Sequence, residues 1–218
     1  MSHWNIAAAQ YHPTHHCVDE HVAHHLRFIT AAAHQQCNLL LFPELSLTGP
    51  AMHNEALPPP PKHHQLAPLL EAAHACNLSV IAGITVEEKG KRQRGMAWFS
   101  PELPQVQIYP HGAGACLESK NGGLSIVDAL ADQPNISPDA ALFTRGMAVS
   151  ETSWLASLTQ LQHFAHRYAI AVLVANSDGG SALWDASGQL IVRADRGELL
   201  LTGRFVGQGW QGEIIPLR

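Results

Sequence analysis

LLLFPELSLTG, residues 39–49, opens with four apolar residues, stops at Pro43 and then presents a lone carboxylate, Glu44. A continuous apolar run of strand length suits a sheet covered on both faces, where neither side of the strand meets water. Proline ends such a strand, because it has no backbone N–H to give to the ladder. A polar group just past the carboxyl end of a buried strand stands where open α/β sheets place their ligand sites. The stretch therefore predicts a strand over Leu39–Phe42 and makes Glu44 a site candidate.

The flanking sequence extends this unit in both directions. Asn5–Gln10 (NIAAAQ) reads as a second short buried strand. Asp19 is of a good N-cap type for a following helix. Val22, Leu26, Ile29 and Ala33 then recur at helical spacing, and Asn38 closes the helix. Strand, helix and strand make a β-α-β unit, with the two strands as parallel neighbours joined by a right-handed crossover. Downstream, Pro58–Pro61 is a stiff loop, and Gln65–Cys76 carries Leu66, Leu69, Leu70 and Ala73 on one helical face. Leu78–Thr85 is a further buried strand, Glu87–Gly95 a charged turn, and Met96–Phe99 with Val106–Tyr109 a strand pair.

Residues 110–140 show no clear period, although Leu124–Val127 has strand character and Gln133–Pro138 reads as a loop. Ala141–Val149 is apolar enough for a strand. Trp154–Tyr168 is a helix expected to pack Leu155, Leu158, Leu161, Phe164 and Ala165 inward, and Ile170–Ala175 is a buried strand. The last part is β: Ser181–Asp185, a turn at Ala186-Ser187-Gly188, Gln189–Ala194 and Glu198–Val206. No linker or internal repeat divides the chain, so residues 1–218 are expected to form a single α/β layered domain.

Composition removes several classes of function. The 218 residues carry a formal charge of −5 with neutral His, so there is no basic footprint for nucleic acid or an anionic membrane. No apolar stretch is long enough to span a bilayer. The first ten residues lack a basic region followed by a long apolar one, which points to the cytoplasm. Cys17, Cys37, Cys76 and Cys116 are scattered, and in a reducing compartment they are expected to be free thiols.

The order of these motifs resembles a known family. WNIAAAQYHPT, a helix, and CNLLLFPELSLTGP look like the opening of the nitrilase, or carbon-nitrogen hydrolase, superfamily. LSVIAGITVEE resembles its next strand. HRYAIAVLVANSDGGSALWDASGQLIVRADRGELLLTGRF resembles its closing half, including a strand that ends in asparagine, here Asn176. The resemblance implies an α-β-β-α sandwich, a homodimer or larger assembly, no cofactor, and a small-molecule amide or carboxylate as ligand. It also implies a triad for cleaving amides or nitriles: a Cys nucleophile, a Glu general base and a Lys that stabilises the oxyanion. The parts fit the chemistry. A thiol near its free pKa is only a few per cent ionised at neutral pH and needs a base beside it. A cation aimed at the developing oxyanion contributes roughly 3 kcal/mol.

Glu44 matches the family's base, but the other two members do not match. Where the family places its lysine, this chain reads QVQIYPHGAGACLES, with no lysine; His111 falls near the motif's later residues, and Lys120 is the nearest lysine. Where the family places its cysteine, the chain reads GGLSIVDALADQP, so that position falls on Ile126, Val127 or Asp128. Residues that act as a unit lose most of the rate together. The first expectation is thus a hydrolase fold without the usual hydrolase chemistry, with Glu44 surviving and His111, Asp128 and Asn176 as pocket candidates. The alternative is a divergent amidase in which Glu44 is the base and Cys116 a displaced nucleophile, with Glu118 close to it.

A third expectation comes from the fifteen histidines. His21 and His25 are four apart and His24 is three from His21, so they share helical faces. Such pairs bind Zn, Ni or Cu when further ligands join, and His16 and Cys17 are near. The plainer expectation is a solvated, His-rich polar side of the first helix, with no metal.

Overall fold

The computed structural model describes residues 4–13, 17–49, 56–110, 115–119, 122–126 and 140–217, with backbone alone for 115–119 and 122–126. The elements run β1 (Asn5–Gln10), α1 (Val18–His34), β2 (Leu39–Leu41), α2 (His63–Cys76), β3 (Ser79–Glu88), β4 (Lys91–Phe99), β5 (Gln107–Pro110), β6 (Ala115–Ser119) and β7 (Gly122–Ile126). They continue with β8 (Ala140–Met147), α3 (Glu151–Tyr168), β9 (Ala171–Asn176), β10 (Ser181–Trp184), β11 (Leu190–Ala194), β12 (Leu199–Val206) and β13 (Gly209–Pro216).

Two sheets result. One has the order β13-β12-β1-β2-β3-β4-β5 and the other β11-β10-β9-β8-β7-β6. The β-α-β unit read from the sequence is present, with β1 and β2 parallel in the register Ile6↔Leu39 to Ala8↔Leu41. The run at 39–42 is apolar throughout because both of its faces are covered. Leu40 and Phe42 join Phe28, Ile29, Leu66 and Leu69 in a core under α1 and α2. Leu39 and Leu41 face the other sheet, in a core with Leu142, Leu173 and Leu183. A third core lies between β8, β9 and α3, around Phe143, Val172, Leu161 and Phe164. Helix, sheet, sheet and helix thus stack as an α-β-β-α sandwich, as the family resemblance implied.

Several local expectations are corrected. The segment Glu87–Gly95 is not a turn. β3 and β4 form one long hairpin whose turn is only Lys89-Gly90, with φ of +51° and +74°. Two consecutive residues at positive φ match the twist of a two-residue hairpin. Glu87 and Glu88 lie opposite Arg92 and Lys91 in the register, so the charges that suggested a loop are cross-strand pairs. Asp19 is not the cap of α1: Cys17 holds that position, and Asp19 sits in the first turn, where its charge suits the helix dipole. The helix ends at His34, before Asn38, whose side-chain oxygen accepts from the Asn5 N–H at 3.3 Å. Leu155 is 58% exposed rather than packed inward, since the buried stripe of α3 is Trp154, Leu158, Leu161, Phe164 and Ala165. The chain also forms β6 and the edge strand β13, neither of which its local pattern announced.

The largest correction concerns α1. Its inward stripe is His21, Val22, His24, His25, Phe28, Ile29 and Ala32, with His21, His24 and His25 only 1%, 7% and 0% exposed. The expected solvated histidine face is therefore core. Spacings of three and four from His21 through His25 and Phe28 to Ala32 form the stripe, and an apolar alphabet without histidine misses it.

Candidate functional site

Glu44 stands on an elbow at the carboxyl end of β2, between the two sheets. The Phe42 N–H donates to the Ile81 carbonyl at 2.8 Å and the Leu47 N–H to the Gly83 carbonyl at 3.0 Å, so the elbow is stitched to β3 on both sides of Glu44. Leu45 has φ +53°, a left-handed conformation that costs a branched apolar residue free energy and is held only where its surroundings fix it. Two glycines provide those surroundings. A Cβ on Gly83 would lie 2.5 Å from the Pro43 oxygen and 2.7 Å from the Glu44 carbonyl carbon. One on Gly146 of β8 would lie 2.7 Å from the Phe42 oxygen and 3.1 Å from the Glu44 nitrogen. Each sheet thus lets the Pro43-Glu44 backbone approach it at a position without a side chain.

The cation beside Glu44 comes from β4. Arg94 Nε is 3.3 Å from Glu44 Oε1, with the side chains 35% and 26% exposed. Arg94 faces the space between the sheets because it is two and four residues from Met96 and Trp98, which pack there. A cavity of about 20 Å³ opens between them, lined by Leu41, Glu44, Gly83, Arg94, Thr144 and Arg145, among others. That is room for about one water-sized group. On the other side of Glu44 a second space of about 20 Å³ is lined by Tyr11, Pro43, Ser46, Ala148 and Ser177. The local pattern hides Arg94, because residues 87–95 read as a charged turn; the hairpin register of opposed charges is the signal that finds it.

The buried histidines support the elbow from behind. His25 Nδ1 is 2.7 Å from the His21 carbonyl and therefore carries the proton, leaving Nε2 to accept from the Ser46 hydroxyl at 3.0 Å. Its ring stacks on Phe42 with centroids 3.9 Å apart. His24 Nε2 meets Glu198 Oε1 at 3.0 Å, and its ring meets Tyr11 edge-on at 4.5 Å. Burial pushes the Tyr11 phenol far above its ordinary range, against the opposing pull of the Ser46 hydroxyl. These rings serve as packing and hydrogen-bonding groups. Among the described residues no three His, Cys, Asp or Glu side chains come together to hold a metal ion.

Asn176 ends β9, as read from the sequence, but its side chain is used internally. Its oxygen accepts from the Val149 N–H at 2.9 Å, and its amide donates to the Val149 and Gly179 carbonyls. It fixes the loop after β8 and lies outside the lining of the Arg94 cavity. Cys116 and Glu118 lie on β6, where only the backbone is described; Cys116 pairs with Ser125, and Ser125 with Phe143 of β8. The Cys116 position is thus two strands from β8 and level with Phe143, three residues short of Gly146. Ile126, one of the positions where the family cysteine was expected, pairs with Thr144 beside the cavity. His111, Val127 and Asp128 lie outside the described residues.

Known proteins share this fold. The family model described as carbon-nitrogen hydrolase matches residues 5–112, a span that includes both Glu44 and Arg94. Nit3 of Saccharomyces cerevisiae, a member of branch 10 of the nitrilase superfamily, superposes with a TM-score of 0.80 at 13% identity, over 93% of this chain and 90% of that one. XC1258 from Xanthomonas campestris, a CN-hydrolase superfamily protein, gives 0.78 at 15% identity, over 95% and 92%. A variant of the nitrilase-superfamily amidase of Nesterenkonia AN1 gives 0.77 at 17%, over 94% and 91%. The four-layer sandwich is shared along almost the whole length, and with the family match over the half that carries the Glu44 elbow, the chain belongs to the carbon-nitrogen hydrolase superfamily.

Proposed function

We propose that this protein keeps the carbon-nitrogen hydrolase pocket for binding a small amide or carboxylate and has lost the thiol chemistry of the family. The observation that carries the reading is the partner of Glu44. The carboxylate faces Arg94, from a strand of the first half, where the family's chemistry calls for a lysine and a thiol. A guanidinium stays protonated in proteins and serves as a fixed charge. The residue in register with Thr144 on the neighbouring strand is Ile126, which has no nucleophilic atom. The same reading treats the chain as one domain acting in the cytoplasm as a homodimer or larger assembly.

One observation favours a second reading. Residues 115–119 form a regular strand, so Cys116 stands on the kind of rigid element a nucleophile needs. In that case Glu44 is the base and Cys116 attacks the amide carbon, with Glu118 near it.

Ammonia release from acetamide, propionamide and glutamine by the purified protein separates the two. The first reading expects release at the buffer rate for wild type, Glu44→Gln and Cys116→Ser alike. Turnover that is blocked by a thiol reagent and abolished by Cys116→Ser sinks the first reading and establishes the second.

A further inference from the structure

We infer that the cavity between Arg94 and Thr144 is a receptor for one carboxylate oxygen of a small carboxylic acid, an inference that rests on the non-hydrolytic reading above. Two donors line one small space. Arg94 Nε is buried and lies 3.3 Å from Glu44 Oε1, yet makes no directed hydrogen bond among the described residues. The Thr144 hydroxyl, on a residue with no exposed surface, also lacks a partner there. A buried hydroxyl without a partner is uncommon in native proteins and calls for an explanation. Beside a guanidinium whose Nε has an ion pair but no directed hydrogen bond, that explanation is an acceptor atom that enters the cavity.

Size and charge define that acceptor. A space of about 20 Å³ admits one oxygen-sized group and no more, so the head of the ligand enters and its remainder stays at the opening. Arg94 is 35% exposed although its Nε is buried, which leaves the outer part of the side chain at that opening. A carboxylate can therefore place one oxygen between Arg94 Nε and Thr144 Oγ and keep the second near the same guanidinium. Charge-assisted bonds of this kind are shorter and stronger than those to a neutral carbonyl, and the planar fork of arginine suits a carboxylate. Glu44 acts as a positioning residue that orients the guanidinium. Gly83 and Gly146 keep the walls free of side chains that would fill the space.

The test is titration calorimetry of the whole protein with sodium acetate and sodium propionate, against acetamide, propionamide and sodium chloride at matched ionic strength. Saturable binding of the carboxylates, at least roughly tenfold tighter than that of the amides, is expected. Arg94→Gln is expected to weaken carboxylate binding by roughly tenfold or more, and Thr144→Val by several-fold. Thermal unfolding without ligand identifies any variant that fails to fold, and Arg94→Lys, which keeps the charge but not Nε, then replaces Arg94→Gln. Carboxylate binding no tighter than chloride means that the cavity holds only water, and it overturns the inference. So does an amide that binds as tightly as its acid, or an Arg94 variant that binds like wild type. Ammonia release in the same samples counts against the non-hydrolytic reading alone; a missing carboxylate preference without ammonia counts against this inference alone.

Discussion

Gly83→Ala tests the account of the Glu44 elbow. The added methyl would meet three backbone atoms, the Leu45 nitrogen, the Pro43 oxygen and the Glu44 carbonyl carbon, the last at 2.7 Å. A flexible side chain could swing aside, but this backbone is tied to β3 by the hydrogen bonds of Phe42 and Leu47. Overpacking of a close-packed interior costs about 1–3 kcal/mol, and contact with fixed backbone belongs at the upper end. Alanine returns about 0.4–1 kcal/mol by restricting the unfolded chain. The expected net loss is about 2 kcal/mol, which lowers Tm by about 4–8 °C in a chain of this size. Gly209→Ala is the control, because a Cβ there meets nothing within 4 Å and its φ is not in the left-handed region; it should stay within about 0.5 kcal/mol of wild type. Urea unfolding of both variants measures the difference. Because Gly83 and Gly146 clasp the same segment, their two alanine variants should also be non-additive. If Gly83→Ala unfolds at the same midpoint as Gly209→Ala, the elbow is not held by close approach to β3, and the argument for a fixed Glu44 fails with it.

Two further outcomes follow from buried polar groups. His25→Ala removes a fully buried ring, its hydrogen bonds to the His21 carbonyl and Ser46, and its stack on Phe42; by analogy with large-to-small core changes it should cost about 2–4 kcal/mol in urea unfolding, and a cost below about 1 kcal/mol would mean that α1 does not support the elbow. Burial pushes the Cys37 thiol from 9.0 up to about 12, with Arg204 opposing, while its S–H points at Asn5 Oδ1. The native state then keeps a proton that the unfolded chain loses, so this contribution is complete below about pH 9 and fades as pH rises toward 12, by up to about 4 kcal/mol. Urea midpoints at pH 8 and pH 10.5 should fall less in Cys37→Ala than in wild type; equal falls would remove Cys37 as the cause.

What was legible in the sequence was whatever leaves a period or a covered strand. The 39–42 run, the β-α-β unit, the strand at Ala171–Asn176 and the hairpins near the end all write their burial directly into residue type. The site was half legible for the same reason. Glu44 follows a proline that stops such a run, so its place could be read from position alone. Arg94 could not be, because it lies in a strand whose outer half is exposed and charged, and a local window sees only polarity there. Its meaning depends on the register that sets Glu87 against Arg92 and carries Arg94 back between the sheets, and that register belongs to the pair of strands rather than to either one.

The histidines failed in the opposite direction. A helix rich in histidine reads as polar only if the ring is treated as a charge. In α1 the rings find a carbonyl, a hydroxyl, a carboxylate and three aromatic neighbours, so they behave as core residues with directional bonds. This bears on how the pocket is kept. An apolar core under the elbow would press on it from behind without fixing its angle, whereas His25 bonds to Ser46, two residues from Glu44. A family that cleaves amides needs its carboxylate held to a fraction of an ångström. A protein that had abandoned the pocket altogether would have no reason to keep a buried polar network and a left-handed Leu45 at that spot, since both cost stability. The elbow is held rigidly and carries Glu44 beside Arg94, which suits the recognition role proposed for the pocket.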